Sequence, residues 1–236
     1  MTGKIWDDFI TERDRKVFAA AGYGVRGTLP ARPALLLVGF NQGNLDTIPS
    51  AQAALDAVRP LVTAARAQGL PVIHATGATR PDAWDRPQED GRAAGADPLA
   101  ETAFAEALQP APTDIVIRRQ APSAFFDSDL MSLLNLLGAD GIVIAGGATA
   151  GALRATVIDA FSLNLRVAIA EDACFDAWEA SHAMALCDLQ AKYADPLSAA
   201  GLADWVATLP GDMFTLPKGC ADKRLDLMPA YGKIPR

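Results

Sequence analysis

Few residues of this chain could do chemistry, and the segment that best gathers them is Gly146-Gly147-Ala148-Thr149-Ala150-Gly151-Ala152. It leaves an apolar run and enters a helical pattern, so its backbone N–H groups point toward a helix N-terminus, where they can hold an anion or an oxyanion. The same glycines also suit plain close packing of a strand on a helix, and spacing alone leaves both readings standing. Cys174, with Asp172 and His182 near it in sequence, offers a thiol and a base; its other reading is a small, buried, apolar residue. His74 ends a second apolar run and either faces a pocket or is a satisfied strand-end histidine. Arg119 suits bidentate binding of a ligand carboxylate, or is a solvated charge. Thr149 and Ser123 read as capping or turn hydroxyls.

The elements that must position these residues are legible from periodicity. Ala34 to Val38, Pro71 to His74, Asp114 to Ile117, Gly141 to Ala145 and Arg166 to Ala170 are short apolar runs bounded by turn residues or charge, the pattern of buried parallel strands. Met213 to Leu216 is a weaker sixth. Between them, Ala51, Ala54, Leu55, Val58, Leu61, Val62 and Ala65 recur at helical spacing, with Ser50 as N-cap and Gly69 just past the end; Pro60 predicts a kink or restart. Leu130, Leu133, Leu134 and Leu137 precede the fourth run at helical spacing, and Leu153, Val157, Ala160 and Phe161 follow it. Strands alternating with helices predict an α/β fold, a doubly wound parallel sheet. In such sheets ligands bind beyond the carboxyl ends of the strands. That rule selects Gly39, Phe40 and Asn41, then His74 to Gly77, Arg118 and Arg119, Gly146 to Ala152, and Asp172 to Cys174.

Composition narrows the function classes. The chain has 236 residues and a formal charge of −7, with half of its residues hydrophobic, which predicts one domain over 1–236 with an N-terminal arm and helix (1–30) and a C-terminal extension (210–236). The stretch from Thr76 to Asp97 lacks periodicity and reads as a long surface loop. An acidic chain without a basic run does not suit nucleic acid or an anionic membrane surface. The charged N-terminus and short apolar runs make a cytoplasmic protein the default expectation. Cys174, Cys187 and Cys220 have no CxxC spacing, and with only two histidines in the chain no metal and no cofactor is expected.

One resemblance covers roughly residues 10 to 200. Gly147-Ala148-Thr149-Ala150-Gly151-Ala152-Leu153-Arg154-Ala155-Thr156, continuing to Asp159-Ala160-Phe161, resembles the GxxTxGCxRAT segment of isochorismatase-like cysteine hydrolases, above all the N-carbamoylsarcosine and maleamate amidohydrolase branch. Arg13-Asp14-Arg15 with Ala21-Gly22-Tyr23-Gly24 and Pro33-Ala34-Leu35-Leu36 is similar to that branch's lead into the first strand. Pro122-Ser123-Ala124-Phe125-Phe126 with Asp129-Leu130 resembles its SAF segment. Glu171-Asp172-Ala173, His182 and Asp188 to Asp195 resemble its fifth strand and final helix. The resemblance implies a three-layer sandwich, a parallel sheet of about six strands with helices on both faces. It also implies hydrolysis of small amides, ureas or carbamoyl compounds by a Cys nucleophile, an Asp base and a Lys.

The three implied catalytic positions carry other residues. The Cys position is Ala152, the Asp position is Gly39, and the Lys position is Arg119, which keeps a charge but does not titrate near neutrality. The resemblance therefore implies a pseudoenzyme: a binding or structural subunit, as homo-oligomer or as hetero-oligomer with an active paralogue. Asn41, Arg119, Gly147, Ala148, Thr149, Gly151 and Ala152 are then the candidate contacts for a small amide, carbamoyl or carboxylate ligand. The alternative is an amidohydrolase whose chemistry has moved to Cys174 or to a partner's residues.

Overall fold

A computed structural model describes residues 3–25, 27–77, 103–119 and 121–216. Six strands form one parallel sheet: β1 Pro33–Val38, β2 Val72–Gly77, β3 Ile115–Arg119, β4 Gly141–Gly147, β5 Arg166–Phe175 and β6 Asp195–Leu197, in the order β3-β2-β1-β4-β5-β6. The order runs one way from β1 to β3 and the other way from β4 to β6. The β1/β4 junction is thus the switch point, where loops diverge and leave a crevice.

Side-chain alternation along the strands divides the core into two layers. Leu36 and Val38 of β1, with Ile73, Ile142, Ile144 and Ile169, face α4 (Leu130–Leu137), α5 (Arg154–Ser162) and α6 (Glu179–Lys192) through Leu134, Val157 and Leu186. Leu35 and Leu37, with Val143, Ala168 and Ala170, face α3 (Ala51–Ala67) and α7 (Ala199–Ala207). The expected three-layer α/β sandwich is what forms. All seven residues whose spacing predicts the inner face of α3 are buried, and each of its Leu and Val side chains contributes about 1.5–3 kcal/mol by leaving water.

Four expectations need correction. The sixth strand is Asp195–Leu197, while Met213 to Leu216 pairs with no strand. Helix α3 runs through Pro60 as one element, with Pro60 on its exposed face, where the missing N–H and the ring displace no packed neighbour. Ser50 does not cap α3; its hydroxyl donates to the Asp176 carbonyl at 3.1 Å. Strand β5 also runs past Ala170: Glu171 to Ala173 form a bulge between the pairs Ile144↔Ile169 and Gly146↔Cys174. The N-terminal arm carries α1 (Glu12–Ala21), opened by a capping box of Thr11 with Asp14. Thr76 and Gly77 end β2; residues 78–97 of the expected loop, Cys220 and residues 217–236 of the extension lie outside the described residues. Among the described residues no helix is long and apolar enough to cross a membrane.

Candidate functional site

The glycine turn sits at the switch point. Gly146 has φ +114°, and a Cβ there would lie 1.9 Å from the Val38 carbonyl oxygen, so this strand end tolerates glycine alone. After the Gly147–Ala148 peptide, which is cis, a single π-type turn (Thr149–Leu153) leads into α5. The N–H groups of Gly151 and Leu153 both donate to the Ala148 carbonyl, at 3.0 and 3.1 Å. The Ala150 N–H donates to the Asp176 carboxylate at 2.7 Å. Asp176 places a negative charge where a helix start favours one, so the protein supplies its own anion to part of this turn. Sequence reasoning passes over Asp176; the available signal is an acidic residue just ahead of α6. Thr149, fully buried, donates its hydroxyl to the Phe175 carbonyl at 2.9 Å and accepts from His182 Nδ1 at 2.8 Å. Its side chain is engaged inside the protein, as a turn hydroxyl would be.

The three positions the resemblance marks lie at the carboxyl ends of β1 and β3 and in the turn after β4. Gly39 has φ +69°, and a Cβ on it would meet the Gly147 carbonyl oxygen at 2.5 Å and Asn44 Nδ2 at 3.1 Å. The Gly39 carbonyl is held locally within the β1–α2 connection, where Asn44 Nδ2 donates to it at 2.7 Å. Asn41 caps α2 (Gln42–Thr47), its Oδ1 accepting the Asn44 N–H at 2.8 Å. Arg119 Nη1 donates to the carbonyls of Ala121 and Pro122 at 3.0 and 3.4 Å, and its buried Nε has no partner among the described residues. Burial holds this guanidinium below its ordinary pKa, and no carboxylate pairs with it among the described residues. Ala152 is 8% exposed and its methyl belongs to the core.

Thr156 joins the Ala152 turn to the Ser123-Ala124-Phe125 segment. Fully buried, it donates to the Ala152 carbonyl at 2.7 Å and accepts the Ala124 N–H at 3.0 Å. Thr156→Val leaves that N–H buried without an acceptor and is expected to cost about 1–3 kcal/mol in denaturant unfolding, with Thr156→Ser recovering most of it. Ser123 accepts the Phe125 N–H at 3.1 Å, a turn role.

Cys174 occupies a setting opposite to that of a reactive thiol. It is 4% exposed and donates to the Ala170 carbonyl at 3.2 Å. Burial, with Asp172 and Glu171 nearby, pushes its pKa far up against a hydrogen bond from the Gly146 backbone. His182 is neutral near pH 7, because burial lowers its pKa despite the pull of Asp176. Since the Thr149 hydrogen points to Phe175, the imidazole donates from Nδ1, which leaves Nε2 as an acceptor. His74 is 3% exposed, its Nε2 lying 2.9 Å from the Asp114 carboxylate. It is a satisfied histidine, held on the face of β2. Cys187, on α6, is buried in the core.

Comparison with known proteins agrees with this architecture. The isochorismatase domain profile matches residues 33–201. The chain is 32% identical to maleamate amidohydrolase of Pseudomonas putida over 186 residues, 73% of this chain and 86% of that protein. It is 25% identical to N-carbamoylsarcosine amidase of an Arthrobacter species over 224 residues, 89% and 85% of the two chains. The crystal structure of a hydrolase of the isochorismatase family from Chromobacterium violaceum superposes with a TM-score of 0.63 at 31% identity, covering 77% of this chain and 96% of that one. With this sheet order, this strand-to-helix turn and a matched segment that runs from β1 into α7, the chain belongs to the isochorismatase family of hydrolases.

Proposed function

We propose that this chain is a non-catalytic member of its family, a binding or structural subunit that assembles with itself or with an active amidohydrolase. The observation that carries this reading is the backbone at Gly39. A residue with any side chain there meets the Gly147 carbonyl at 2.5 Å, so the strand end has no room for the carboxylate that would activate a thiol. Two further features support it: position 152 presents a core methyl, and position 119 carries a guanidinium that accepts no proton near neutrality. Relocated chemistry at Cys174 finds no support, because a thiol with a raised pKa that donates to a carbonyl is a poor nucleophile. The crevice reading retains Arg119, together with the turn from Gly147 to Ala152, as the place where a small amide, carbamoyl or carboxylate compound would rest.

The relatives' names supply the test compounds. Purified protein incubated with maleamate or N-carbamoylsarcosine is expected to release ammonia no faster than buffer. Turnover at ordinary enzymatic rates, at about 1 per second or more, overturns the proposal.

A further inference from the structure

We infer that a second cavity, whose lining does not include positions 39, 119 and 152, binds a small organic cation that brings its own hydrogen-bond donors, an ammonium or a guanidinium. The cavity holds about 330 Å³ between residues 3–5, the first turn of α3 and the β5 bulge. That lies within the volume range of small-molecule sites. Its N-terminal wall is fixed: Lys4 Nζ donates to both oxygens of Glu171, at 2.6 and 2.8 Å, and neighbouring Trp6 is buried in the core.

The polar groups of the lining define what is missing. Each of its side-chain hydroxyl and thiol donors already has an acceptor in the protein: Ser50 donates to the Asp176 carbonyl, Cys174 to the Ala170 carbonyl. The Lys4 ammonium faces Glu171 and balances its charge. Acceptors remain. Asp172 Oδ1 takes the Ala199 N–H at 2.6 Å, but its second oxygen has no hydrogen bond and its charge no counter-ion among the described residues. His182 has Nδ1 turned to Thr149, so the nitrogen left for the cavity is the proton-free Nε2. The lining carries two carboxylates, Glu171 and the solvent-exposed Asp172, against the single charge of Lys4, and this excess negative charge beside a neutral imidazole acceptor complements a cation that carries N–H groups.

The test uses the isotopically labelled full chain at low ionic strength, titrated with butylammonium or methylguanidinium while amide chemical shifts are followed, with butyrate as the control anion. The expected result is saturable shifts confined to residues 3–6, 171–174 and the neighbourhood of His182, with none from butyrate. Asp172→Asn keeps an oxygen for the Ala199 N–H but removes the charge, and is expected to weaken cation binding at least tenfold. Ala53→Leu, on an exposed position of α3 that lines the cavity, is expected to abolish it while leaving the fold intact. Shifts that never saturate, an equal response to butyrate, or unchanged binding in both variants overturn the inference.

Discussion

Gly39→Asp is expected to destabilise the protein by about 2–4 kcal/mol rather than to restore a catalytic carboxylate. The conflict begins at Cβ, not at the carboxylate: the atom would stand 2.5 Å from the Gly147 carbonyl oxygen, on a residue whose φ of +69° already disfavours a side chain. Relief requires the end of β1 to move away from the turn after β4, which disturbs the β1/β4 pairing where Val38 sits beside Gly146. Gly39→Ala therefore carries most of the same penalty. Ala152→Cys and Arg119→Lys differ in kind, since each alters a side chain on an unchanged backbone. Denaturant unfolding of the four single variants is expected to place Gly39→Asp and Gly39→Ala well below the other two. The triple variant with Asp, Lys and Cys at 39, 119 and 152 is expected to remain inactive on maleamate. Activity in that variant would show that the strand end rearranges easily, and would remove the ground for a non-catalytic reading.

The positions that the resemblance marks are legible in the sequence because they depend on residue identity inside a recognisable segment; the obstacle to a side chain at Gly39 is not, because it lies in a backbone angle. The strands show the same division. Five runs announce themselves because a parallel strand buried on both faces is apolar throughout. Strand β6 does not, since Asp195-Pro196-Leu197 is short and only half-buried and pairs with β5 alone, at the sheet's edge. Met213 and Phe214, which look like a strand by composition, instead pack on the α3/α7 layer, and the Phe214 ring lies 4.7 Å from the Arg32 guanidinium. Around the crevice, Thr149 and Ser123 fall where their types suggest, in turns. Asp176 escapes sequence reasoning because its carboxylate reaches Ala150 across 26 residues, a tertiary contact with no local pattern. The cavity beside the β5 bulge is hidden for the same reason: Lys4, Ser50, Asp172 and His182 share no spacing that periodicity could detect.

Asp114→Ala is expected to be among the costly single substitutions, about 3 kcal/mol or more, because it removes a buried anion on which three donors converge. His74 Nε2 at 2.9 Å, Arg66 Nη2 at 2.5 Å and the Ala111 N–H at 2.9 Å all meet the same carboxylate oxygen, on a residue 1% exposed. Without it, Arg66 can turn toward water from its half-buried position, but His74 is enclosed on the face of β2 and loses its partner. Burial is the largest influence on the Asp114 carboxyl and raises its pKa, yet the hydrogen bonds from His74, Arg66 and Ala111 together outweigh it and hold the group below its ordinary value. The sign of the pH dependence follows. As pH falls through about 4, the unfolded carboxyl takes up a proton before the folded one does, so the unfolded state binds more protons and stability declines until the folded group also protonates. The contribution is complete above that range and disappears below the depressed folded value. Asp114→Asn retains an acceptor oxygen but removes the titrating charge. Its stability deficit relative to the parent chain, measured by urea unfolding, is therefore expected to be largest near pH 6 and to shrink toward pH 3. A deficit that stays constant over that interval would mean that the carboxylate's charge does not hold the His74 and Arg66 side chains, and that their attachment rests on packing alone.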